Sequence, residues 1–198
     1  MQVAIHTRSL LLIALTLSAA GAHSAAAQTR DHLTPQEVEL VRDAQALDLR
    51  VAVFVKAVGR RMALLTGVAM PTPTNNSKQA KKDAELWGEL PKGTRAELLG
   101  DVAKILDEAI TNIDDVSLHD AKSPLLPKAL RKLAAAAAQI TDQLTPMRAQ
   151  AKTEEEIGNL EQALENAQSI VEAAKKLPPP TEKEKKEKSK SSKPKEKP

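Results

Sequence analysis

Residues 34–65 read TPQEVELVRDAQALDLRVAVFVKAVGRRMALL, and this stretch decides the fold class. Thr34-Pro35-Gln36-Glu37 has the form of a capping box. The threonine hydroxyl accepts from the amide three residues on, and the glutamate reaches back to the threonine amide. Pro35 falls at the first helical position, where a missing N–H costs nothing. From there Leu40, Ala44, Leu47, Val51, Phe54, Val58, Met62 and Leu65 recur at spacings of three and four. That periodicity predicts a long amphipathic helix from 35 to about 66, roughly 48 Å at 1.5 Å per residue. Val53 and Val55 widen the stripe, which implies burial against more than one neighbour. Thr66-Gly67 supplies the stop.

The same grammar continues downstream. Residues 69–77, AMPTPTNNS, read as a linker. A short helix capped by Ser77 and reaching Leu86 precedes a turn at Trp87-Gly88. Thr94-Arg95-Ala96-Glu97 is a second capping box, opening a helix striped by Leu98, Val102, Ile105, Leu106, Ala109, Ile113 and Val116. Ser123-Pro124 repeats the cap-then-proline signal after a break near His119–Lys122. Leu130, Leu133, Ala137, Ile140, Leu144, Met147 and Ala151 then alternate three and four as a coiled-coil seam does. A second seam follows in Ile157, Leu160, Leu164, Ala167, Val171 and Ala174. The phase slips between Ala151 and Ile157, where Thr153-Glu154-Glu155-Glu156 forms a third capping box and Pro146 disturbs the helix. A turn or sharp kink is expected over 145–153. With no strand-like alternation, these segments predict an all-α fold: an elongated antiparallel bundle of four to five amphipathic helices over residues 28–177.

Both ends have a different composition. Residues 1–27 place Arg8 ahead of an apolar run starting Leu10-Leu11-Leu12-Ile13, then the small residues Ala25-Ala26-Ala27. This is the pattern of a secretory signal peptide, with cleavage expected between Ala27 and Gln28. The run is too short to span a bilayer, and no later segment has 18 consecutive apolar residues, so no transmembrane segment is expected in the mature chain. Residues 178–198 hold lysine, glutamate, proline and serine with no large apolar residue, and are expected to be disordered. The net charge of +3 resolves into a body with 20 Lys+Arg and 22 Asp+Glu (28–179) and a tail with eight lysines and four glutamates (180–198). The tail acts either as a solubilising spacer or as a weak contact to an anionic envelope surface.

Composition excludes several chemistries. With no cysteine there is no disulfide, thiol nucleophile or Cys-based zinc site. Two aromatics, Phe54 and Trp87, do not make a base-stacking platform, and Lys78, Lys81 and Lys82 are too small a patch to argue specific nucleic-acid binding. Asp115 and His119 share a helix face at the spacing of two metal ligands, but no second histidine-bearing helix exists to complete a set. His32 beside Asp31 reads as local structure ahead of the first helix. Asp114-Asp115 and Glu154-Glu155-Glu156 are the carboxylate pairs, the latter at a helix start where negative charge is favourable. Ser77, Ser117, Ser123 and Ser169 lie in no nucleophile motif, and no phosphate-binding loop is present. Trp87 is expected to cap the bundle core. No catalytic, cofactor-binding or metal residue is assigned, no cofactor is expected, and the chain is expected not to be an enzyme.

The stretches DHLTPQEVELVRDAQ (31–45), WGELPKGTRAELLGD (87–101) and TPMRAQAKTEEEIGNLEQ (145–162) resemble a family of uncharacterised exported helical bacterial proteins. That resemblance implies export and a helical fold, and no known activity. Leu33-Thr34-Pro35-Gln36 is similar to the LTxxQ motif of periplasmic helical chaperones, with Glu37 at the fifth position and the glutamine one place early. Leu144-Thr145 repeats the first two letters, with Arg148 at the fifth. The expectation is an exported, periplasmic or extracellular bundle acting as a homodimer or on an envelope protein through its helix faces. A periplasmic chaperone or envelope-stress adaptor is the alternative.

Overall fold

A computed structural model describes residues 31–68, 82 and 84–179. The expected signal peptide, the 69–77 linker, Lys78, Lys81 and residues 180–198 of the tail lie outside the described residues. Every regular element among those described is helical: α1 (Pro35–Asp43), α2 (Leu47–Thr66), α3 (Arg95–His119), α4 (Leu125–Leu144), a 3-10 helix η1 (Thr145–Gln150) and α5 (Glu154–Lys175). A helical stretch at 84–87 leads into the turn before α3.

The first segment departs from the expected continuous helix over 35–66. It breaks at residues 44–46, where Ala44 (ψ 80) leaves α1 and Ala46 (ψ 137) is extended. Neither glycine nor proline forces this. Side chains supply donors to carbonyls at the break: Arg50 Nε donates to the Ala44 carbonyl at 3.1 Å, and Gln45 Nε2 to that of Arg42 at 2.7 Å. The break lets α1 fold back on α2. Glu37 and Arg61 stand 24 residues apart, about 36 Å in a straight helix, yet their charged groups meet at 2.6 Å.

The first two capping boxes form in full, Thr34 with Glu37 and Thr94 with Glu97. At the third, the Thr153 hydroxyl accepts from the Glu156 amide at 3.1 Å, while the Glu156 carboxylate reaches one residue further back, to the Lys152 amide at 2.9 Å. Ser123 does not cap α4; Pro124 occupies that position with no side-chain bond. The chain turns through η1 between α4 and α5, as the phase slip and Pro146 indicate. Gly67 ends α2 in the left-handed region, φ 71.

α2 and α5 each pack against both α3 and α4, and α1 lies on α2. Hydrogen bonds fix the directions. Arg50 reaches Asn112 and Arg61 reaches Asp101, so α2 and α3 run antiparallel. Arg131, near the start of α4, donates to the Pro178 carbonyl beyond α5, and Arg148 pairs with Glu161, so α4 and α5 also run antiparallel. By contrast, Asn159 Nδ2 donates to the Ala96 carbonyl and Asn166 Nδ2 to that of Ala103, each at 2.9 Å. Both positions advance by seven, so α3 and α5 run parallel and in register. Asp48 near the start of α2 meets Lys128 and Lys132 near the start of α4, which aligns those two helices as well. Where an antiparallel bundle was expected, two of the four neighbouring pairs are therefore parallel, and residues 120–124 cross the end diagonally.

The core is aliphatic: Val51, Phe54, Met62, Ile105, Leu133, Ile140, Leu144, Leu160 and Leu164 are buried with many alanines. Most positions of both seams are buried or partly buried. Ile157 is the exception, 48% exposed, and Ala163, Asn166 and Ile170 complete the buried row of α5 instead.

Two helical glycines test the parallel contact. A Cβ at Gly158 would meet nothing within 4 Å, whereas one at Gly100 would sit 3.0 Å from Asn159 Nδ2. Gly158→Ala is expected to raise stability by about 0.5–1 kcal/mol through helix propensity and a less free unfolded chain. Gly100→Ala is expected to lose most of that gain by displacing the Asn159 amide from Ala96. Thermal melts of both variants check this; equal stabilisation would show that the close approach is unimportant.

Candidate functional site

Among the described residues, the densest chemistry lies where α1 folds onto α2. Glu37 is fully buried and divides its two oxygens between two tasks. Oε2 accepts from the Thr34 amide at 2.9 Å and completes the helix cap. Oε1 accepts from Arg60 Nη1 at 2.7 Å and from Arg61 Nη1 at 2.6 Å. Arg61, 1% exposed, also donates to the carbonyls of Ala57 (3.0 Å) and His32 (2.6 Å) and, through Nε, to Asp101 Oδ2 on α3 at 3.4 Å. Arg60 donates to the carbonyls of Gly88 and Glu89 in the turn before α3. Lys56 Nζ lies 4.6 Å and Arg60 Cζ 5.6 Å from the centroid of the Trp87 ring, both within cation–π range. Trp87 is buried, as a core cap should be. Gly88 has φ 61, a conformation suited to glycine, and the Gln36 side chain packs against its open side.

The electrostatics of this clasp are those of a structural ion cluster. Burial alone pushes the Glu37 carboxyl up. The hydrogen bonds from Arg61 and the Thr34 amide, with the charges of Arg61 and Arg60, outweigh it and hold the group below its ordinary value of 4.5. A carboxylate so held is ionised at neutral pH and a poor proton acceptor. Its charge, with that of Asp101, balances the buried guanidinium groups of Arg60 and Arg61.

The other singled-out residues are dispersed over the molecule. His119 Nδ1 lies 2.8 Å from the Asp115 carbonyl and 3.2 Å from its carboxylate, on the exposed last turn of α3. His32 is not confined to local structure: its Nε2 lies 2.8 Å from Glu108 Oε2, tying the segment before α1 to the middle of α3. Asp114, Ser117, Ser123 and Ser169 come together around an apolar cleft of about 670 Å³ between the end of α3, residues 121–124, the start of α4 and the end of α5. Glu154 and Glu155 stay exposed in the first turn of α5. Ser77 lies outside the described residues. Among the described residues no group of three or more His, Asp or Glu is placed to hold a metal, and no helix is long and apolar enough to cross a membrane.

Comparison with family models, curated proteins and solved structures finds no match to this chain.

The arginines and Asp101 were not singled out from sequence, although a signal was present. Leu33, Glu37, Leu40, Ala44 and Leu47 are spaced four, three, four and three, so Glu37 occupies a core position. Arg61 likewise stands three after Val58 and four before Leu65. Two opposite charges at core positions of one amphipathic pattern are best neutralised by each other. That requirement implies a fold-back which periodicity alone does not report.

Proposed function

We propose that this chain is an exported, non-enzymatic helical bundle with a structural or protein-interaction role in the periplasm or cell envelope. The observation that carries the reading is the closed charge clasp: its buried acid and arginines are used in holding α1, α2, α3 and the 87–89 turn together. The surface supports the interaction half of the reading. Leu49 and Leu64 on α2, Leu118 at the end of α3 and Ile157 on α5 are large apolar residues exposed to solvent, and such residues on helix faces suit helix pairing with a second copy or an envelope protein. Export rests on the order of charge, apolar run and small residues in 1–27.

Two measurements test the halves separately. Expressed from its full sequence in a Gram-negative host, the protein is expected in the osmotic-shock fraction with the intact mass of residues 28–198. An unprocessed cytoplasmic product would remove export. In sedimentation across a wide concentration series, the processed protein is expected to self-associate reversibly; a strict monomer throughout would remove pairing with a second copy.

A further inference from the structure

The cleft at the α3–α4 end of the bundle takes no part in the clasp and is not explained by helix pairing. Every residue of its lining falls within 110–178. Its floor is formed by Ile113, Leu133 and Ile170, which are buried, and its walls by the half-buried Ile110, Leu126 and Leu130. Ala121 and Ala173 put only methyl groups on the lining, and Arg131 donates to the Pro178 carbonyl at 2.5 Å, which holds Leu177 and Pro178 as one wall. At about 670 Å³ the cleft falls in the size range of small-molecule sites, which combine an apolar lining with a few polar groups. The apolar part is aliphatic throughout, since the two aromatic residues of the chain, Phe54 and Trp87, take no part in it. A flat ring would find no stacking partner there, whereas an alkyl chain needs only close contact and the exclusion of water.

The polar groups are the hydroxyls of Ser117, Ser123 and Ser169, the carboxylate of Asp114 and the ammonium of Lys122. One charge of each sign leaves the lining neutral in sum. An anionic head group meets Asp114 as a like charge, a cationic one meets Lys122, and either gives up hydration at an apolar mouth. An uncharged head incurs neither cost. Each serine hydroxyl both donates and accepts, so the three together match a head group that does the same, as an alcohol or a sugar does. We propose that the cleft binds an uncharged single-chain amphiphile, with its alkyl chain on the isoleucine and leucine floor and its hydroxylated head among the serines. A volume of this size suits one alkyl chain rather than a partner helix. This inference goes beyond the structural role proposed above and requires neither export nor self-association.

The test is titration calorimetry of the full-length protein with decyl glucoside, decyl sulfate and decyltrimethylammonium, each below its micelle concentration, so that the chain is constant and the head varies. Saturable one-to-one binding of the glucoside is expected, about tenfold tighter than either charged probe. Ser117→Trp and Ser169→Trp, at exposed positions of α3 and α5, are each expected to weaken the glucoside about tenfold or more by filling the mouth, at an unchanged melting temperature. The same substitution at Gln139, exposed on α4 and outside the lining, is the control and should change nothing. Asp114→Asn removes the like charge and is expected to tighten decyl sulfate about threefold while leaving the glucoside as it was. Absence of saturable binding, or glucoside binding untouched by both tryptophan variants of the lining in folded protein, overturns the site. A charged probe that binds as tightly as the glucoside or more tightly, or an Asp114→Asn variant that leaves decyl sulfate no tighter, overturns the assignment of an uncharged head.

Discussion

Arg61→Ala is expected to destabilise the protein by about 3–5 kcal/mol, the cost of breaking a buried ion pair from one side. In a chain of this size that corresponds to a fall in melting temperature of about 10 °C or more. The substitution leaves Glu37 buried with one guanidinium instead of two and removes the donors to the His32 and Ala57 carbonyls. It also deprives Asp101 of its bond across the α2–α3 interface. The double variant Glu37→Met with Arg61→Met should recover a good part of the loss, because it removes both desolvated charges together. Chemical denaturation of the two variants measures this. A loss below about 1 kcal/mol for Arg61→Ala would place the pair with exposed ion pairs and contradict the clasp.

The same cluster sets an acid limit. The folded Glu37 carboxyl is held below 4.5, so its contribution is fully present above the unfolded value and fades as pH falls through the depressed folded one. The stability gap between the native protein and Glu37→Gln is therefore expected to be constant from neutral pH to about 4.5, the ordinary value from which the shift is taken, and to narrow below it. A gap that narrows while still above that value would show that the arginines do not hold the carboxyl down.

Phe54→Ala is the second large effect, also expected at about 3–5 kcal/mol. Phe54 is the single phenylalanine of the chain and has no exposed surface. Its removal should fall at the upper end of that range for a reason peculiar to this core. Ala57, Ala103, Ala109, Ala129, Ala137, Ala163 and Ala167 belong to the same buried cluster, and a methyl group has no rotamer with which to fill a hole. Phe54→Leu should cost much less. Urea melts of both variants check the ordering; comparable losses would mean that the core collapses around the gap.

How far the fold could be read in advance depended on what periodicity records. It records which residues face inward, and the stripes of α2, α3 and α4 are buried where the three-and-four spacing puts them. Capping boxes record where a helix begins, and Thr34 and Thr94 do begin helices. Neither records direction. The spacing from Leu40 through Ala44 and Leu47 to Val51 passes through the break at 44–46 without a fault, because two helices packed on one core keep the same inward phase. The parallel register of α3 and α5 depends on Asn159 and Asn166, which bond to carbonyls of another helix; taken alone, they are polar interruptions in a stripe. The clasp was half legible: the cap formed by Glu37 Oε2 is written in four consecutive residues, whereas the work of Oε1 depends on arginines 23 and 24 positions away. The cleft had no local signature, since its serines come from α3, α5 and the loop between α3 and α4.

The aligned pairs α2 with α4 and α3 with α5 have an architectural consequence. One helical hairpin, α2–α3, is followed by a second, α4–α5, laid alongside it in the same orientation, which is the relation between consecutive units of a solenoid. Such a stack has two outer faces and continues unless both are closed. On the first side α1 and the His32–Glu37 segment close it, bolted down by the arginines. On the second, α5 presents Glu161, Gln162, Glu165, Gln168 and Glu172, all exposed, a polar row with Ile157 alone as an exposed large apolar residue at its start, on which a third hairpin has little to bury. The protein is in this sense a minimal array with both terminators built in, and adding units to it would require rewriting the outer row of α5 rather than its core.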